Sequence, residues 1–103
     1  MKSALGIAAV LGVLAAAPLA FGAPFHYRCK DGTRLSAEFV NDAAKGNSVN
    51  LAFRGKKSIV SLPQVMSADG GRYADDAMEF WINGNGARLT RAGKATSCTT
   101  TKP

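Results

Sequence analysis

The side chains that could carry out chemistry in this sequence are few. Three carboxylates lie close together, at Asp75, Asp76 and Glu79, and a pair of carboxylates is what most glycoside hydrolases use. Their sequence context is typical of an exposed turn and strand, and a nucleophilic relay would depend on His26 alone. The glycine-rich segments match neither a phosphate-binding loop nor a dinucleotide fingerprint. The residues therefore predict a protein with no catalytic site, no cofactor and no metal.

The two cysteines, Cys29 and Cys98, predict a disulfide. An even cysteine count in an exported protein favours pairing, and two cysteines allow one connectivity. Closing a loop of roughly 70 residues stabilises the fold by about 4 kcal/mol in the chain-entropy model. The alternative is a reactive or metal-binding pair, for which only His26 is available as a further soft ligand.

The N-terminal segment indicates export. Lys2 gives a positive start, residues 3–23 carry no charge, and Ala20 and Gly22 have the spacing that signal peptidase recognises. We expect residues 1–22 to be a removed signal peptide and residues 23–103 to be one small domain with no membrane span. A retained membrane anchor is the alternative. A lipid anchor would need a cysteine at the cleavage point, and because the first cysteine is Cys29 we do not expect one. The length of 103 residues excludes a multidomain protein and a cofactor-binding α/β enzyme.

Alternation of apolar and polar residues predicts β-strands along the rest of the chain. Asp31-Gly32 and Asn83-Gly84-Asn85-Gly86 are typical of hairpin turns, and Pro63 is expected to end the fourth strand. We predict an all-β fold of six to eight short antiparallel strands in a closed barrel or sandwich. The segment Ser67–Tyr73 is expected to be a loop rather than an element.

That loop is the most informative candidate site. Gly70 and Gly71 permit a sharp projection, and Tyr73 is placed to anchor its base. A stiff loop of small residues suits insertion into a partner's cleft, because little entropy is lost on binding. Trp81 alternates with the apolar residues of its strand, so it is expected to cover an outer surface or to be exposed.

The basic residues allow a second interpretation. The chain has a net charge of +6, which falls to about +5 without Lys2, and an anionic partner would fit this charge. Export argues against nucleic acid, and no grouped aromatics resemble an RNA-binding sheet. Ordinary solvation of turn tips is the alternative. The residues concerned are Lys45, Arg54, Lys56, Lys57, Arg88, Arg91 and Lys94.

The chain resembles the bacterial family of membrane-bound and periplasmic inhibitors of c-type lysozyme. The resemblance covers essentially the whole segment after the signal peptide. It implies a small antiparallel β-barrel with a disulfide between its two ends, located in the periplasm of a Gram-negative bacterium, that blocks c-type lysozyme by filling its active-site cleft. The matching residues are Tyr27-Arg28-Cys29-Lys30-Asp31-Gly32, Leu62-Pro63-Gln64, Ser67 to Tyr73, Glu79-Phe80-Trp81, Gly84, Ala87, Leu89 and Cys98.

The resemblance also implies the contact residues and shows two departures. The family's inhibitory loop has the form Ser-Gly-x-x-Tyr, so Gly70 and Tyr73 match, whereas Asp69 stands in place of the serine. A lysine precedes the glycine of the following hairpin in the family, whereas Asn83 precedes Gly84 here. The implied lysozyme-binding residues are Ser67, Asp69, Gly70, Arg72 and Tyr73, with Asn83 and Gly84 as a second contact. The alternative function is a non-inhibitory envelope protein that binds an anionic surface or another partner through its basic turns.

Overall fold

The computed structural model describes residues 23–101, which form eight strands. Each strand pairs antiparallel with its neighbours in the chain, and β1 also pairs with β8, which closes a barrel. The prediction of a small antiparallel barrel is confirmed. The strands are β1 (Phe25–Cys29), β2 (Arg34–Val40), β3 (Ser48–Phe53), β4 (Ile59–Val65), β5 (Gly71–Ala74), β6 (Met78–Asn83), β7 (Gly86–Arg91) and β8 (Lys94–Thr101).

The alternating apolar residues fill the barrel. In β3 the buried positions are every second residue, Val49, Leu51 and Phe53, as the pleat of a strand requires. The rings of Tyr27 and Phe80 meet edge to face in the interior, 5.2 Å between centroids. The buried set is Tyr27, Cys29, Leu35, Ala37, Val49, Leu51, Phe53, Leu62, Tyr73, Phe80, Ala87, Leu89 and Cys98. No polar or charged residue is buried among those described.

The two predicted hairpin turns are confirmed, and each uses a glycine with positive φ. Gly32 has φ 95° between β1 and β2, and Gly84 has φ 64° between β6 and β7. In the first turn the backbone N–H of Thr33 donates to the Asp31 carboxylate at 2.9 Å. This hydrogen bond is the main reason that the pKa of Asp31 lies below its ordinary value.

Two predicted boundaries are wrong. Pro63 does not end the fourth strand, because β4 continues to Val65. Up to Pro63 the strand pairs with β3, and from Gln64 it pairs with β5, so the proline lies where the ladder changes partner. The segment Ser67–Tyr73 is not wholly a loop either. Its last three residues, from Gly71, belong to β5 and pair with β6.

Because successive strands are antiparallel, the connections between them lie alternately at the two ends of the barrel. We call the end with residues 30–33, 54–58, 75–77 and 92–93 the turn end. The opposite end, the loop end, has residues 41–47, 66–70 and 84–85, together with the start of β1 and the finish of β8. The predicted signal peptide, residues 1–22, lies outside the described residues. Within residues 23–101 there is no helix of the length and apolarity needed to cross a bilayer.

The disulfide joins Cys29 to Cys98, as predicted. The two residues lie directly opposite each other in the β1–β8 ladder. The bond therefore staples the one strand pair that turns the sheet into a barrel, and it links positions 69 residues apart in sequence.

Replacing both cysteines by alanine (C29A/C98A) should lower the free energy of unfolding by about 4 kcal/mol, because the unfolded chain then regains the entropy of an open loop. Urea denaturation followed by Trp81 fluorescence measures the loss. Reduction of the wild-type protein with dithiothreitol is the control and should give the same result. A loss below about 1 kcal/mol would contradict the assignment of the bond as the main staple.

Candidate functional site

The loop between β4 and β5, residues 66–70, is an exposed segment of the loop end. Met66 is 89% exposed, the largest value among the exposed large apolar side chains of the described chain. Ala68, Asp69 and Gly70 are also exposed, whereas Ser67 is half-buried. The loop thus presents one large apolar side chain, Met66, and one acidic side chain, Asp69, to solvent. We call it the β4–β5 loop.

Hydrogen bonds within the loop fix its shape. The Ser67 hydroxyl lies 3.0 Å from the carbonyl oxygen of Asp69 and 3.1 Å from that of Gly70, and it donates to this pair. Such short-range bonds from serine to the backbone stabilise turns. The predicted contact residue Ser67 therefore acts first on the loop's own backbone.

Trp81 holds the loop from the outer face of β6. Its Nε1–H donates to the carbonyl oxygen of Asp69 at 2.9 Å. In the ladder Trp81 lies opposite Arg72 of β5 and Arg88 of β7, so its ring is set between two neighbouring strands. Of the two alternatives expected for Trp81, covering a surface or standing exposed, the structure shows the first, because its side chain is partly buried. The hydrogen bond, which sequence alone did not reveal, makes Trp81 part of the site.

Arg72 belongs to the same outer face. Its guanidinium carbon lies 5.2 Å from the centroid of the Trp81 ring, and its Nε lies 2.6 Å from Oε2 of Glu79. The pair is partly exposed, so the ion pair contributes at most about 1 kcal/mol, but together with the ring it fixes the side chain. The charge of Arg72 is already compensated before any partner arrives.

Gly70 brings the loop against the barrel. It has φ 63°, and a Cβ at this position would lie 2.0 Å from the carbonyl oxygen of Ile82. No side chain fits there without moving the backbone. Gly84 has nearly the same φ, 64°, but a Cβ there would have nothing within 4 Å. The two predicted site glycines therefore differ: one is required for close packing, and the other only for its turn.

Tyr73 supports the loop from inside. It is 8% exposed, and its ring packs against Phe39 with 5.6 Å between centroids. Burial raises the pKa of the Tyr73 phenol above its ordinary value. Burial likewise raises the pKa of Tyr27, and the nearby Tyr73 raises it further by a smaller amount. The expected role of Tyr73 as an anchor agrees with this position, although the residue lies in a strand and not in the loop.

Two concave surfaces flank the loop. An outer groove of about 610 Å³ runs beside Asp69, Trp81 and Asn83 and continues to Lys30 and Arg88. A cavity of about 890 Å³ opens at the loop end, lined by Phe25, Tyr27, Phe39, Tyr73, Ile82 and Gly84 among others. The structure thus brings the predicted loop and the predicted hairpin, Asn83 and Gly84, to one end of the molecule.

Met66 was not among the site residues predicted from the sequence. The available signal was a large apolar residue placed directly after a strand and before a run of small residues. The alternation of a strand predicts which of its side chains face the barrel interior. It does not indicate how exposed the residue after the strand is, which here is Met66 after β4.

No group of three or more His, Cys, Asp or Glu side chains that could hold a metal ion occurs within residues 23–101. The site consists of an exposed loop, a braced tryptophan and two open surfaces. Such an arrangement is suited to contact with another macromolecule.

Comparisons with known proteins agree with this picture. The family model described as membrane-bound lysozyme-inhibitor of c-type lysozyme matches residues 27–97. A Yersinia enterocolitica protein named membrane-bound lysozyme inhibitor of C-type lysozyme is 36% identical over 101 residues, covering 91% of this chain and 81% of the relative. The fold matches a crystal structure of Pseudomonas aeruginosa MliC in complex with hen egg white lysozyme, with a TM-score of 0.66 and 20% identity. That match covers 82% of this chain and 88% of the other.

Gly70→Ala and Gly84→Ala form a matched pair that tests the close approach of the loop. Both place a side chain at positive φ, which costs about 1–2 kcal/mol. Only Gly70→Ala also drives a methyl group into the Ile82 carbonyl, so we expect its total loss of stability to reach about 3 kcal/mol or more. Urea unfolding measures both losses. Equal losses would mean that the loop does not press against β6.

Proposed function

Because the chain belongs to the family of membrane-bound lysozyme inhibitors of c-type lysozyme, we propose that it inhibits a c-type lysozyme by placing the β4–β5 loop in the enzyme's active-site cleft. The protein acts as a binding partner and not as an enzyme. The solved Pseudomonas aeruginosa relative was crystallised in complex with hen egg white lysozyme, which supports this choice of partner.

The observation that carries the proposal is the bracing of an exposed loop from three directions. Trp81 bonds its outer side, Gly70 contacts the β6 backbone, and Tyr73 fills the space beneath. A loop that is already ordered loses little entropy when it is bound, so more of its contact energy appears as affinity. This is the property that insertion into a cleft requires.

The contacts are divided between direct and supporting residues. Met66 and Asp69 are exposed and reach the partner, with Ala68 between them. Asn83 at the end of β6 extends the contact along the outer groove. Ser67, Gly70 and Tyr73 hold the loop in shape.

The charge of Asp69 sets the strength of the interaction. The catalytic residues of c-type lysozyme are carboxylates, one acting as acid and the other as nucleophile or stabiliser. At about 4 Å and an effective dielectric of about 20, a third carboxylate is repelled by roughly 4 kcal/mol. Arg72 offers limited relief, because Glu79 already pairs with it. The loop therefore binds with its carboxylate near the catalytic pair, and more weakly than a serine at position 69 would allow.

The proposed location is the periplasm. The uncharged leader with small residues at Ala20 and Gly22 supports removal of residues 1–22 during export. The disulfide between Cys29 and Cys98 fits an oxidising compartment.

The purified protein should slow the lysis of bacterial cell walls by hen egg white lysozyme at stoichiometric dose. Met66→Ala should raise the concentration needed for half-inhibition about tenfold, because truncating an apolar anchor at an interface costs about 1–2 kcal/mol. Turbidity decrease of a cell-wall suspension is the measurement.

Ile59→Ala is the control for Met66→Ala. Ile59 is also exposed, at 63%, but it starts β4 at the turn end. Its replacement should leave inhibition unchanged. No inhibition by the wild-type protein at tenfold excess over several c-type lysozymes would refute the proposed function.

Removing the negative charge at position 69 should strengthen inhibition. Asp69→Asn should lower the dissociation constant for lysozyme by about tenfold to a thousandfold, since up to roughly 4 kcal/mol of repulsion is removed. Asp76→Asn changes net charge equally in an exposed turn at the turn end, and it should have little effect. Surface plasmon resonance gives both constants.

Surface plasmon resonance with the double variant Asp69→Ser, Asn83→Lys compares this chain with the family pattern. A large gain in affinity would show that Asp69 and Asn83 weaken the binding of the natural protein to lysozyme. Weaker binding by Asp69→Asn would instead mean that the carboxylate makes a favourable contact, contrary to the geometry proposed.

A further inference from the structure

Three arginines form a row across the outer face of β1, β2 and the end of β3. Arg28 and Arg34 are direct partners in the β1–β2 ladder. The backbone N–H of Arg54 donates to the carbonyl oxygen of Arg34 at 2.9 Å, which places Arg54 on the next rung. All three side chains are exposed, and each has a buried neighbour in sequence, so they share the outer face.

This row is unfavourable in the isolated protein. Residues directly opposite on adjacent strands have Cβ atoms about 5 Å apart, and like charges there destabilise the pair. The single ion pair found within residues 23–101 joins Arg72 to Glu79, on the other side of the barrel. The row of arginines therefore has no carboxylate in ion-pair contact among the described residues.

Two adjoining depressions run along the row. The first, of about 550 Å³, is lined by Arg28, Arg34, Arg54 and Lys56, with His26 and Ser36 beside them. The second, of about 410 Å³, shares Arg34, Arg54 and Lys56 with the first and adds Arg91. No carboxylate lines either depression. Five cationic side chains thus line two adjoining depressions, which we together call the arginine groove.

One of these cations is already held in place. Arg91 Nη2 donates to the hydroxyl oxygen of Thr33 at 3.0 Å, and its guanidinium carbon lies 4.8 Å from the centroid of the Phe53 ring. A guanidinium fixed in this way loses little freedom when a ligand binds. The surface is therefore partly organised for its ligand.

We propose that this arginine groove binds a multiply charged phosphate ligand. Guanidinium groups donate in pairs to phosphate oxygens, and a ligand with two or more phosphates can offset the charge of successive rungs. The chemistry is shared by a soluble polyphosphate and by a phosphate headgroup at a membrane surface.

The groove is separate from the β4–β5 loop. The arginine row lies on β1 to β3 toward the turn end, whereas the loop lies at the loop end beside β5 and β6. The two sites therefore do not compete for one surface. The inference stands independently of the proposed lysozyme inhibition.

Isothermal titration of the purified protein with sodium tripolyphosphate at low ionic strength tests the groove. The triple variant Arg28→Gln, Arg34→Gln, Arg54→Gln should weaken binding by about tenfold or more. The matched variant Lys45→Gln, Arg88→Gln, Lys94→Gln removes the same charge outside both depressions and should bind like the wild type. Equal weakening in the two variants would overturn the proposal, because net charge alone would then explain the binding.

The single variant Arg34→Gln gives a second readout that does not depend on the triple variant folding. Without ligand its melting temperature should rise, because the central like charge of the row is removed. With tripolyphosphate the increase in melting temperature should be smaller than for the wild type. An unchanged melting temperature without ligand together with an intact ligand-induced increase would overturn the proposal.

Cosedimentation with phosphatidylcholine vesicles, with and without phosphatidic acid, distinguishes the two sources. If the protein binds phosphatidic acid vesicles and the triple variant does not, the ligand is a lipid headgroup. If the protein binds tripolyphosphate but not the vesicles, the ligand is a soluble polyphosphate. Either result supports the proposed groove. Failure in both arms, or equally tight binding of citrate, would overturn it. Lysozyme inhibition by the triple variant should remain at the wild-type level.

Discussion

Closure of the barrel is the constraint on which the rest of the structure depends. The described chain is short, and a single apolar layer fills its interior, so an open sheet of this size would expose both the core and two unpaired edges. Pairing of β1 with β8 removes the edges, and the Cys29–Cys98 bond lies within that pairing. Once closed, the sheet bonds each strand on both sides. The rigid rim that results is what allows a short loop to keep one shape.

The loop end shows how that rigidity is passed to an exposed segment. Trp81 reaches from the outer face to a main-chain oxygen of the loop, and Tyr73 packs beneath it. Gly70 allows the backbone of the loop to touch the backbone of β6. A larger residue at Gly70 would lift the loop from the rim and break the hydrogen bond from Trp81. Shape is thus determined by residues that a partner need not contact.

Sequence patterns predicted the strands, the two hairpins and the disulfide, because alternation and turn chemistry are local and two cysteines have one pairing. They failed for β5, whose Gly71–Ala74 segment has no alternation of its own and becomes a strand through pairing with β6. They also failed for Pro63, since a proline is tolerated where the ladder changes partner. The arginine row was not visible because residues 28, 34 and 54 become neighbours only through the register. The basic residues considered from sequence contributed Arg54, Lys56 and Arg91 to the groove, but Arg28 and Arg34 were not among them.

Position 69 shows how a loop can keep its shape while its side chain changes. Both hydrogen bonds that fix the residue, from Trp81 and from Ser67, end on its carbonyl oxygen and not on its carboxylate. Every amino acid supplies that oxygen, so the loop keeps its shape whether the side chain is a serine or an aspartate. The Asp69 side chain is exposed, so it can vary without changing these two hydrogen bonds. An aspartate in place of serine at position 69 therefore removes neither of these hydrogen bonds, and under the proposed function its effect falls on the recognition of lysozyme.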